Sequence, residues 1–193
     1  MRAAVFLFAL LGLAGCSLTG GHEASIERSE LEQLVLQPDD LQRVFVRFGE
    51  GRQVSADSPG GGRGDPARFG RVEGWITRYR RPGAAQAAGP QVIVSRADLF
   101  GSVTGAEDDF EAAREELANG GLGWSPIDEP GLGDESFAAT VRQAGLRRYE
   151  VFWREHNAAA SLKVEEFEGR MALADVLALA RKQERRIADA ARP

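Results

Sequence analysis

Three features of the 193-residue sequence predict an α+β fold: an antiparallel sheet of about five to six strands, with a long C-terminal helix and a second helix packed on one face. Strand-like segments come in neighbouring pairs, 71–80 with 91–100 and 147–154 with 158–167. A helical stretch follows each group of strands, so the order is strands then helix, twice. A composition 43% hydrophobic and 27% charged supplies one core, and it excludes both a disordered polyelectrolyte and a multispanning membrane protein.

Each element has its own local reason. Ser29 and Glu32 stand three apart ahead of Leu34-Val35-Leu36, a capping box that starts a short helix, and Pro38 ends it. Val44, Val46 and Phe48 alternate with Phe45 and Arg47, the period of a half-buried strand, until Gly49 and Gly51. Residues 55–66 are too rich in Gly, Pro, Ser and Asp to bury apolar area and read as a surface loop. The strands 71–80 and 91–100 are separated by a turn region over 82–90 and should pair antiparallel. Thr104 and Glu107 form a second capping box, and Phe110, Ala113 and Leu117 carry one apolar stripe as far as Asn119-Gly120-Gly121. Residues 136–142 form a strand, and the strands 147–154 and 158–167 form a hairpin around Glu155-His156-Asn157. Leu173, Val176, Leu177, Ala180 and Ile187 line one face of the final helix, with Arg181 to Arg186 as its solvated face.

The first sixteen residues give an address. Met1-Arg2 precedes an apolar or small stretch, 3–15, that is too short for the roughly 20 residues of a spanning helix and reads as a signal-peptide core. Leu13-Ala14-Gly15-Cys16 follows, and it resembles the bacterial lipobox, in which the cysteine is acylated and the chain is cut before it. Cys16 is the only cysteine. The implied organisation is a signal peptide over 1–15, acylated Cys16 and a flexible tether over 16–28, and a single globular domain over 29–193. Acyl chains hold a protein on a membrane without a spanning helix, so the mature chain is expected outside the cytoplasm, anchored at the bacterial cell envelope. Removing fifteen residues, with Arg2 the only charge among them, leaves 178 residues and a net charge of −6. That charge and that address argue against nucleic acid as a partner.

Little in the chain supports catalysis. One Cys and two His exclude an internal disulfide and can barely assemble a zinc site of three or four N/S ligands, and no metal or other cofactor is expected. His22 lies in the tether and His156 on a hairpin tip. No Gly-x-Ser-x-Gly elbow, phosphate-binding loop or His-Glu-x-x-His is present. Arg63-Gly64-Asp65 sits in a Gly-rich loop and reads as coincidence. Acidic pairs occur at Asp108-Asp109, Asp128-Glu129 and Asp134-Glu135, the last the most site-like, and they keep open the alternative of an envelope hydrolase using a carboxylate pair. A second alternative is a carrier of an apolar ligand held between sheet and helices, its cavity lined by Trp75, Trp124 and Trp153.

Gly133-Asp134-Glu135-Ser136, Val151 through Asn157 and Leu179 through Ile187, taken with the order of elements, resemble uncharacterised bacterial surface lipoproteins with a PsbP/Mog1-like sheet. The resemblance covers roughly the second half of the chain. It implies an accessory or binding module without established catalytic residues. Where Arg-Gly-Asn would be expected at the hairpin tip, this chain has Glu155-His156-Asn157.

One cluster suggests recognition. Arg78 to Arg81 end one strand and Arg147-Arg148 begin another, so neighbouring strands would gather Arg80, Arg81, Arg147 and Arg148 on one rim, suited to phosphate or carboxylate. The expected function is a lipid-anchored, non-catalytic binding or accessory protein. Its partners would be the membrane, through the anchor, and an envelope protein or anionic envelope component.

Overall fold

The computed structural model describes residues 25–53, 65–83, 88–119, 123–127 and 130–192. Its centre is one antiparallel sheet of seven strands: β1 (Val46–Gln53), β2 (Arg71–Arg80), β3 (Val92–Phe100), β4 (Ser125–Ile127), β5 (Glu135–Gln143), β6 (Leu146–Glu155) and β7 (Ala158–Phe167). They lie in the order β1-β2-β3-β7-β6-β5-β4. The helices are α1 (Val103–Asn119) and α2 (Leu173–Ala190). The expected count of five to six strands therefore falls short of the seven found. The missing strand, β4, has three residues, contains Pro126 and pairs only with β5, so it is too short to show an alternation and sits where proline is tolerated, at an edge.

The two helices cover opposite faces of the sheet, not one face. Ile93, Ala97 and Leu99 of β3, Val151 and Trp153 of β6, and Ala160 and Leu162 of β7 form one core with Val176, Ala180 and Ile187 of α2. The alternate positions point the other way: Phe100 and Ala159 pack with Ala106 of α1, and Phe152 and Phe137 pack with Phe110 and Ala113 of α1. The sequence sign of this arrangement is Val151-Phe152-Trp153-Arg154, four consecutive buried residues where a one-sided strand would alternate.

Element starts differ in detail. The first helical segment is a 3₁₀ stretch, Arg28–Gln33, with no side-chain cap, and Ser29 makes no capping box. The helix α1 is capped by Ser102, whose Oγ accepts the Gly105 N–H at 3.1 Å, two residues before the expected Thr104. Gly105 is needed there, because a Cβ would lie 2.3 Å from the Phe69 carbonyl oxygen. The strand β1 runs past Gly49 to Gln53, with a register shift between Arg47 and Gly49, and its Val46 and Phe48 are exposed, as is Val44 before it. Ile26 and Arg28, within the stretch read as tether, already belong to the fold: Ile26 is buried with its N–H on Asn157 Oδ1, and Arg28 pairs with Glu73.

A buried polar network joins three parts of the fold. Gln183 of α2 accepts from Ser95 Oγ at 2.7 Å and donates to the Arg96 carbonyl at 2.9 Å. Ser95 Oγ accepts the Leu36 N–H at 2.9 Å, and the Leu36 carbonyl accepts from the Tyr79 hydroxyl at 2.8 Å. Every partner is buried, so the network fixes the register of α2 on β3 and lays the 31–37 segment over β2.

Candidate functional site

A cleft of about 560 Å³ opens at the Arg80 end of the sheet, on the face that carries α2. Three segments make it: residues 40–45, the 88–93 approach to β3, and the turn from Arg170 into the first half of α2. Phe45, Ile93, Met171 and Leu179 supply apolar walls, while Asp40, Arg81, Arg170, Asp175 and Lys182 supply charge. A volume of this size is that of a small-molecule site.

The local folding explains the charge balance. Asp40 closes the 3₁₀ turn Pro38–Asp40, accepting the Gln37 N–H at 2.8 Å, and pairs with Arg186 at 2.8 Å. Asp175 accepts the Ala172 N–H at the start of α2 at 3.2 Å. Both carboxylates are thus committed to the backbone. Lys182 Nζ donates to the Asp40 carbonyl. Arg81 lies with its guanidinium carbon 5.1 Å from the centre of the Phe45 ring and donates from Nη1 to the Ala88 carbonyl at 2.7 Å. Its Nε is buried with no acceptor among the described residues. The N–H of the same peptide unit, at Gly89, donates to the Arg170 carbonyl at 2.8 Å, so one peptide links the two arginine-bearing segments at the cleft. The Arg170 side chain has no partner among the described residues.

The four arginines expected on one rim reach the same end of the sheet but not one site. Arg80, Val92, Glu165 and Arg148 form a continuous row across β2, β3, β7 and β6, so two strands separate Arg80 from Arg148. Arg80 stacks over Phe48 with its guanidinium carbon 5.8 Å from the ring centre. Arg148 pairs with Glu165 at 3.1 Å, and Arg147 lies on the opposite face, bonded to the Tyr149 hydroxyl at 3.0 Å and near Glu168 at 3.4 Å. Arg81, one residue past β2, enters the cleft.

The acidic pairs are dispersed. Asp108 is exposed and Asp109 buried on α1, while Asp128-Glu129 lie outside the described residues, as do Cys16, His22, Arg63 and Gly64. Asp134 and Glu135 both pair with Arg154, at 3.0 and 2.8 Å, and Asp134 also accepts the His156 N–H at 2.9 Å. This is the opposite end of the sheet from the cleft. There Glu155 is half-buried, with Oε2 lacking a donor among the described residues, and its carboxyl is pushed up to about 7, first by burial and then by the charges of Asp134 and Glu184. Among the described residues no group of three or more His, Cys, Asp or Glu could hold a metal ion.

The tryptophans do not line the cleft. Trp153 is fully buried in the α2-side core, and Trp75 packs partly buried against it. Sequence reasoning missed Phe45, Arg170, Met171 and Lys182. The one available signal was Phe45, which sits out of phase with Val44 and Val46 and faces inward while they face solvent.

No family model and no curated protein matches the chain. Among solved structures, the extracellular domain of PknH from Mycobacterium tuberculosis is similar in fold, with a TM-score of 0.59 and 13% identity over 88% of this chain and 98% of that one.

Proposed function

We propose that this chain is an extracytoplasmic, non-catalytic binding or accessory domain of the bacterial cell envelope, held on its membrane by lipid at Cys16. The lipobox Leu13-Ala14-Gly15-Cys16 carries the reading, because the chain's one thiol stands where acylation requires it, directly behind a short apolar stretch. Two further observations support it. A fold of this shape occurs as the extracellular domain of a mycobacterial PknH. The concave feature with both apolar and charged walls is a cleft whose carboxylates are engaged in capping, an arrangement for holding a ligand and not for proton transfer.

The test is the mass of the N-terminal peptide from membrane and soluble fractions. Wild-type protein should sit in the membrane fraction and begin at an acylated Cys16. Cys16→Ser should carry no lipid and retain Met1, with the domain's melting temperature unchanged. An unmodified Cys16 in the membrane-bound protein would overturn the anchor.

A further inference from the structure

We infer that the cleft binds a single-chain amphipathic anion, its carboxylate or phosphate held by Arg81 and Arg170 and its apolar body laid along Phe45, Ile93, Met171 and Leu179. The inference deepens the binding-domain reading by naming a ligand class, and it rests on that reading only for the protein's location.

Four observations carry it. First, the wall chemistry is divided: aromatic and aliphatic side chains form the interior while cations stand beside them, the pattern that suits a ligand with one charged end. Second, the charge is unbalanced. Three cations face two carboxylates, and Asp40 is already neutralised by Arg186 from outside the lining, while Asp175 is turned onto the Ala172 N–H. The lining therefore carries a net positive charge, and an anion would find two guanidinium groups with no carboxylate partner among the described residues. Third, Arg81 is incompletely satisfied. It is fixed by Phe45 and by the Ala88 carbonyl, yet its buried Nε has no acceptor among the described residues, and an unmet buried donor favours a ligand that supplies one. Fourth, the Ala88–Gly89 peptide holds both arginine-bearing segments through its two ends, so the two guanidinium groups are presented from a braced frame and not from independent loops. Guanidinium groups bind carboxylate and phosphate alike through paired N–H donors, which leaves the headgroup open between those two.

Residues 17–193 carry the whole described fold without the acylated cysteine, and this protein is titrated by calorimetry below micellar concentrations with dodecanoate, dodecyl phosphate and dodecanol. The expected result is saturable one-to-one binding of at least one anion, with dodecanol at least tenfold weaker; which anion is preferred assigns the headgroup. The double variant Arg81→Gln/Arg170→Gln should lose at least tenfold in anion affinity and leave dodecanol unchanged. Ala178→Trp, at an exposed lining position, should fill the cleft and abolish binding of all three. Arg148→Gln, at the same end of the sheet but paired with Glu165 on the other face, should bind as wild type does. Circular dichroism and melting of each variant separate lost binding from lost fold. Absence of binding by both anions, equal affinity for dodecanol, or an Arg148→Gln loss equal to that of the double variant would overturn the proposal, whatever the outcome at Cys16.

Discussion

Ala144 and His156 hold left-handed backbone conformations, with φ of 53° and 50°. Ala144 and Gly145, φ 76°, form the two-residue connection between the paired ends Gln143 and Leu146, a turn that needs positive φ at both central positions and favours Asn-Gly. Replacing Ala144→Asn should raise stability by about 0.5–1 kcal/mol, read as a higher urea midpoint at unchanged slope. The sequence reading placed strands on both sides of this turn without marking the turn itself, and nothing local marked Ala144 as strained. His156 occupies the tip position where the resemblance implied Gly, and its conformation is the one glycine adopts freely. His156→Gly should therefore keep or raise stability, and His156→Ala should leave cleft binding unaltered, both checked by melting and titration. Its neighbour Glu155 links stability to pH. The folded carboxyl keeps its proton to about pH 7, whereas the ordinary value is 4.5, so the folded state binds more protons between those limits and stability falls as pH rises through them. Allowing for its half-exposure, Glu155→Gln should gain about 1 kcal/mol at pH 8 and little at pH 5, measured as urea midpoints at both pH values.

At the scale of elements, the placement of α2 turns on Gln183, buried between Ser95 and the Arg96 carbonyl. Gln183→Leu removes both bonds and leaves the Ser95 hydroxyl donor without its acceptor in a closed core, which should cost about 2–3 kcal/mol, seen as a lower melting temperature with secondary structure retained. Strand and helix identities were legible because periodicity survives wherever an element has one buried face, as in α2. What escaped was set by contacts distant in sequence. The side of the sheet that α1 covers is decided by how the chain leaves Phe100, and the cap of α1 by Ser102 reaching Gly105. The exposure of Val46 and Phe48 follows from β1 lying at the sheet edge, a fact about strand order that alternation does not contain. The cleft was invisible for the same reason: its walls come from residues 40–45, 88–93 and 170–182, and the local signals were confined to Arg81 and the out-of-phase Phe45.

For the whole molecule, the two ends of the sheet have different chemistry. The chain enters the fold at Ile26 beside Asn157, at the end that carries Asp134, Glu155 and Glu184. From Asn157 to Glu165 along β7 is about 26 Å, so the cleft stands that far from the entry point. The most direct test of the cleft as the binding site is the amide NMR spectrum of residues 17–193 titrated with dodecyl phosphate and dodecanoate. The account predicts shifts concentrated in residues 40–45, 88–93 and 170–182, with Asp134 and Glu155 to Asn157 unmoved; shifts centred on Phe48 and Arg80, or on the acidic end, would contradict it.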